Sequence, residues 1–197
     1  DKHKRKQVRN IPFRMIIPNM ITSGSVFCGV SSIILTSHGK LLPAAALICF
    51  AVFFDVMDGR VARSLGGGSH FGEELDSLAD AISFGVAPAF LVYSAYIGPA
   101  TGIWGPLAAS FFALCGVLRL ARFNCMAAAP RKENQSMDFV GLPVPMAAGA
   151  VVSTMYLVID LTTKRNLVIA QPWQIMMAVC MTIVSLLMIS RVIYPSF

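Results

Sequence analysis

The chain has 197 residues, 56% of them hydrophobic and only 13% charged, with a net charge of +6. Soluble domains carry about 25% charged residues, so the composition excludes an ordinary soluble enzyme and indicates an integral membrane protein. Five scattered cysteines without Cys-x-x-Cys or Cys/His spacing exclude a zinc or disulfide framework and read as packing residues.

The chain opens with a basic juxtamembrane segment, residues 1–17, holding Lys2, Lys4, Arg5, Lys6, Arg9 and Arg14. Ahead of an apolar chain, such a run marks the cytoplasmic side and contacts anionic membrane lipid rather than nucleic acid. It is expected to lie on the membrane surface. A spanning helix needs about 20 mostly apolar residues, and residues 18–197 offer six stretches of that kind. The first covers 18–37, up to Ser37-His38-Gly39-Lys40; the second covers 41–64, up to the run Gly66-Gly67-Gly68. The third covers 72–97, stopped by Gly98-Pro99, and the fourth covers 103–125, ahead of a polar loop from Ala129 to Asp138. The fifth, 143–161, and the sixth, 172–194, each open on a proline, Pro143 and Pro172. The expected fold is all-α: one membrane domain, a bundle of six transmembrane helices behind a short basic interfacial segment.

Six spans place both ends on one side of the membrane. Arg60, Arg63, Arg119, Arg122, Arg131, Lys132 and Arg191 then join the N-terminal bases inside, against Lys40, Lys164 and Arg165 outside. That asymmetry orients the chain in the cell membrane with the inner helix ends facing the cytoplasm.

Four aspartates break the apolar pattern: Asp55 and Asp58 in the second stretch, Asp76 and Asp80 in the third. Unpaired in hydrocarbon, four carboxylates would cost on the order of 10–14 kcal/mol. Residues three or four apart share a helix face, so each pair points one way. A short Gly-rich connection makes the two helices antiparallel neighbours on which the acidic faces can converge. Carboxylate oxygens alone suit hard divalent cations, Mg²⁺ or Mn²⁺. Gly59 and Ala62 leave room beside this face, Arg63 offers a fork for phosphate oxygens, and Gly72 opens the next helix, whose N-terminus favours anions. Together they indicate a phosphate-bearing ligand. Intramembrane aspartates also mark ion pathways, which makes a divalent-cation transporter the alternative from another class. It leaves Gly59, Ala62, Arg63 and Gly72 unexplained.

Residues 55–80 read Asp-x2-Asp-Gly-x2-Ala-Arg-x8-Gly-x3-Asp-x3-Asp, and this resembles, without departure, the signature of the CDP-alcohol phosphotransferase family. Leu75–Pro88 (LDSLADAISFGVAP), Arg119–Asn124 (RLARFN) and Gly141–Pro145 (GLPVP) look like the phosphatidylserine synthase branch. The resemblance implies transfer of the phosphatidyl group of CDP-diacylglycerol to the hydroxyl of L-serine, with release of CMP. Siblings use other acceptors: glycerol 3-phosphate, inositol phosphate or inositol. It further implies two divalent ions held by Asp55, Asp58, Asp76 and Asp80, with Asp80 also the general base. Asp58, Gly59, Ala62, Arg63 and Gly72 would contact the nucleotide and diphosphate, and the protein would be a homodimer. Arg119, Arg122, Asn124 and Ser83 are the candidate acceptor contacts, an arginine fork suiting an amino-acid carboxylate. Asn19, Thr22 and the Gly141-Leu142-Pro143 turn are further pocket candidates, Asn19 and Thr22 being equally readable as helix caps.

Overall fold

The computed structural model describes residues 13–65, 70–98, 102–128, 139–140, 142–164, 171–190 and 193–194. The described chain is a helical membrane bundle: α1 (Phe13–Ser37), α2 (Leu41–Ser64), α3 (His70–Asp80), α4 (Ala87–Val92), α5 (Trp104–Ala128), α6 (Val144–Lys164) and α7 (Gln171–Ile189). With no water in the bilayer core, backbone groups must pair within the segment, which long apolar helices achieve. Four runs are long and apolar enough to cross a membrane: Ile16–Ser37, Leu41–Ser64, His70–Tyr96 and Trp104–Met126. Val144–Val158 and Trp173–Ile189 add shorter apolar helices.

The first reversal shows how local chemistry sets the boundaries. Gly39 takes a left-handed φ of 73°, which glycine adopts without a Cβ penalty. The Gly39 amide donates to the Thr36 carbonyl and the Lys40 amide to the Leu35 carbonyl, each at 2.9 Å. These paired bonds close the helix as a Schellman motif and send the chain back as α2. At the other end α1 starts at Phe13, ahead of Pro18, so a proline lies inside the helix rather than at its start.

The third helix is not the uniform α-helix that its hydropathy predicts. Wider π turns occupy Ala81–Val86 and Tyr93–Ile97, on either side of α4. Pro88 in the first turn of α4 has no amide hydrogen for the i→i−4 ladder, and a π turn re-registers the ladder around such a gap. The sixth helix also ends earlier than expected. α7 stops at Ile189, and Ile193–Tyr194 form a two-residue antiparallel ladder with Phe139–Val140. The glycine run 66–68 lies outside the described residues.

Small side chains let α1, α2 and the π turn after α3 approach closely, the mode expected where lipid supplies no hydrophobic drive between helices. Ala44, Ala45, Ile48 and Ala51 of α2 are buried, and Ser32 Oγ donates to the Ala44 carbonyl at 2.8 Å. A Cβ at Gly29 would stand 2.6 Å from Ser83 Oγ and 2.9 Å from Ser83 Cα, so only glycine fits. Phe84, Leu91, Phe112, Met155 and Met181 fill the centre, and Tyr96 Oη donates to the Met155 carbonyl at 3.0 Å. Phe27, Phe50, Phe53 and Leu107 are exposed on the outer surface, where a membrane protein meets acyl chains. α1 packs against both α2 and α3, and α5 packs against the π turn that follows α3.

Candidate active site

α2 and α3 deliver the acidic residues from opposite chain directions. Asp55, Asp76 and Asp80 each bring a carboxylate oxygen within 4.8 Å of the other two. The Asp55 and Asp80 carboxyl groups are close enough to hydrogen-bond each other. Ionised carboxylates lack a proton to donate, so a grouping this tight requires a positive charge or a shared proton between them. Three hard oxygen donors, with no sulfur or imidazole in the group, match Mg²⁺ or Mn²⁺.

Asp58 stands outside the trio but within electrostatic reach of Asp55 and Asp76. It is only 6% exposed, and its Oδ2 accepts a hydrogen bond from Thr22 Oγ1 at 2.7 Å. α1 thereby orients one of the four aspartates. Thr22 Oγ1 also lies 3.0 Å from the Pro18 carbonyl, within α1 rather than at its cap. Asn19 is half-buried on the preceding turn.

The small positions behave differently from one another. A Cβ at Gly59 would meet nothing within 4 Å, so open space adjoins Asp58. Ala62 and Gly72 are half-buried. Arg63 is exposed, and its Nε donates to the Gly59 carbonyl at 3.0 Å, folding the side chain back one turn along α2. His70 is exposed at the start of α3.

On α5, Arg119 is half-buried and interacts electrostatically with Asp80. Its Nε is buried without a hydrogen-bond partner among the described residues. An unsatisfied buried donor costs about 1–3 kcal/mol. Asn124 is half-buried and joined to α3, where Ser77 Oγ donates to its Oδ1 at 3.0 Å. Arg122 is exposed, whereas Arg119, three residues before it, is half-buried. Ser83, expected among the acceptor contacts, faces α1. It is fully buried, and its hydroxyl donates to the Ser25 carbonyl at 2.9 Å, because Gly29 lets α1 close over it. Gly141 lies outside the described residues, and the Leu142 amide is bonded to the Leu187 carbonyl at 3.4 Å. Ser77 was missed by sequence reasoning: its position between Asp76 and Asp80 was visible, its partner across the helix gap was not.

Residues 15–189 match the CDP-alcohol phosphatidyltransferase family. The chain belongs to that family. Family members act on CDP-linked alcohols, and the acidic cluster lies on the stretch that carries the family signature. Among curated relatives, a CDP-diacylglycerol–serine O-phosphatidyltransferase of Helicobacter pylori is 35% identical over 182 residues, covering 92% of this chain and 73% of the relative. One of the same name from Bacillus subtilis is 36% identical over 183 residues, covering 92% and 90%. An archaetidylserine synthase of Methanothermobacter thermautotrophicus is 39% identical over 186 residues, covering 91% and 69%.

Proposed function

We propose that this CDP-alcohol phosphatidyltransferase moves the phosphatidyl group of CDP-diacylglycerol to the hydroxyl of L-serine, yielding phosphatidylserine and CMP. The observation that carries the reading is the convergence of Asp55, Asp76 and Asp80 beside Arg119, whose buried Nε has no partner among the described residues. The names of its relatives favour serine as the acceptor.

Asp55, Asp58, Asp76 and Asp80 would hold two Mg²⁺ or Mn²⁺ ions. Such ions, when bound, neutralise the diphosphate and polarise its oxygens. The open space at Gly59, with Ala62 nearby, admits the cytidine, while Arg63 and the start of α3 at Gly72 receive phosphate oxygens. Arg119 takes the serine carboxylate and sets its hydroxyl toward Asp80. Asp80 accepts the hydroxyl proton as the serine oxygen bonds to the lipid-side phosphorus and the bond from phosphorus to CMP breaks. Catalysis here is mainly positioning and charge stabilisation.

The same reading places the protein in the cell membrane as a multi-pass homodimer, with α6 and α7 completing six spans and the site open to the cytoplasm. The basic run of residues 2–9, which lies outside the described residues, would contact anionic lipid. The test is CMP release from CDP-diacylglycerol by the purified chain, offered L-serine, glycerol 3-phosphate, inositol phosphate and inositol in turn. Release with L-serine alone is expected; release only with another alcohol overturns the acceptor.

A further inference from the structure

α3 and α5 are related by one hydrogen bond and one electrostatic pairing, in antiparallel order along the two helices. Arg119 lies within electrostatic reach of Asp80. One turn back toward the start of α3, Ser77 Oγ donates to Asn124 Oδ1 at 3.0 Å. The Glu73 carbonyl on the same helix, 3.1 Å from Ser77 Oγ, is a second acceptor for the one hydroxyl proton, and the shorter contact is the one to Asn124. With Oδ1 engaged, the amide hydrogens of Asn124 have no protein partner among the described residues. A neutral amide donor and a guanidinium then stand along one helix seam.

We propose that Ser77 is a positioning residue for the acceptor. By holding Oδ1 of Asn124, it turns that side chain's amide hydrogens toward the carboxylate of the incoming amino acid, beside Arg119. This rests on the amino-acid acceptor reading above. Ser77 would act through Asn124, so its effect is expected in acceptor binding. One hydrogen bond sets the scale, about threefold to tenfold in an equilibrium constant.

The experiment is steady-state kinetics on the full chain in lipid nanodiscs. Ser77→Ala is expected to raise KM for L-serine by about threefold to tenfold, leaving KM for CDP-diacylglycerol and the half-saturating Mg²⁺ concentration unchanged. Ser77→Thr, which keeps the hydroxyl, restores the serine KM. Ser77→Ala combined with Asn124→Ala is no worse than Asn124→Ala alone, since the two act as one unit. An unchanged serine KM, an equal rise in the CDP-diacylglycerol KM, or additive effects in the double variant each overturn the role. Should Ser77→Ala not fold, Ser77→Cys keeps the volume and weakens the donor, and it carries the same KM test. If the wild-type chain turns over another alcohol instead of serine, the acceptor reading falls. The positioning role then stands or falls on that alcohol's KM in the same variants.

Discussion

Thr22 on α1 donates its hydroxyl to Oδ2 of Asp58 on α2 at 2.7 Å. This bond ties the first helix of the chain to the acidic site and fixes the orientation of the aspartate that stands outside the close trio. Bonds to charged groups contribute about 1.5–3 kcal/mol, enough to set whether Asp58 is pre-aligned when a cation arrives. Thr22→Val, which keeps the shape and removes the hydroxyl, is expected to raise the half-saturating Mg²⁺ concentration by about tenfold or more. Thr22→Ser should stay near wild type. Titrating Mg²⁺ against CMP release checks both.

Asp80 stands at the meeting point of the trio and Arg119. Asp80→Asn keeps the size of the side chain and removes its capacity to accept a proton. Loss of a positioned general base lowers turnover by about 10²- to 10⁴-fold. Serine-dependent CMP release near the wild-type rate would rule Asp80 out as the base.

Chelation probes the donor set directly. EDTA should abolish turnover, and Mg²⁺ or Mn²⁺ should restore it, because oxygen-only sites favour hard cations. Activity that persists after exhaustive chelation would dissociate the carboxylate cluster from metal-assisted chemistry.

At Gly59, stability and activity should move in opposite directions. The site for a Cβ is empty, and alanine in a helix interior is about 1 kcal/mol better than glycine. Gly59→Ala is therefore expected to melt at the same temperature or higher in detergent while KM for CDP-diacylglycerol rises. A variant with an unchanged donor KM would show that the space is not used by the nucleotide.

Gly29 and Ser83 give the structural counterpart. Gly29→Ala forces a Cβ against Ser83 Cα at 2.9 Å, and overpacking of this kind costs about 1–3 kcal/mol. Ser83→Ala in the same chain should not rescue it, since the clash involves backbone. Ser83→Ala alone removes the bond to the Ser25 carbonyl, lowering stability by roughly 0.6 kcal/mol on the scale of membrane-protein cycles. KM for serine should not change. Thermal melting and serine kinetics on the three variants separate packing from acceptor binding.

Much of the fold was legible because hydropathy and helix punctuation are local properties. The reversal at Gly39, the end of α2 at Ser64 and the pairing of Asp76 with Asp80 follow from residues within a few positions of one another. The π turns around Pro88 were not legible, since the proline marks a gap in the ladder but not how the chain closes it. The surroundings of Ser83 were not legible for a related reason. A serine in an apolar helix seeks an acceptor, and whether that acceptor is a ligand or the Ser25 carbonyl depends on how closely α1 approaches.

The sequence by itself determined the class of the protein, the helical stretches and the acidic motif, because burial in lipid and the 3.6-residue period act along the chain. Only the tertiary structure decided that Asp55 joins Asp76 and Asp80 while Asp58 turns to Thr22, that Arg119 is half-buried near Asp80 while Arg122 is exposed, and that Ser77 bonds Asn124. Those choices depend on the rotation and spacing of whole helices about one another. Contacts made by distant residues such as Gly29 and Ser83 fix that rotation, and no local spacing in the chain encodes it.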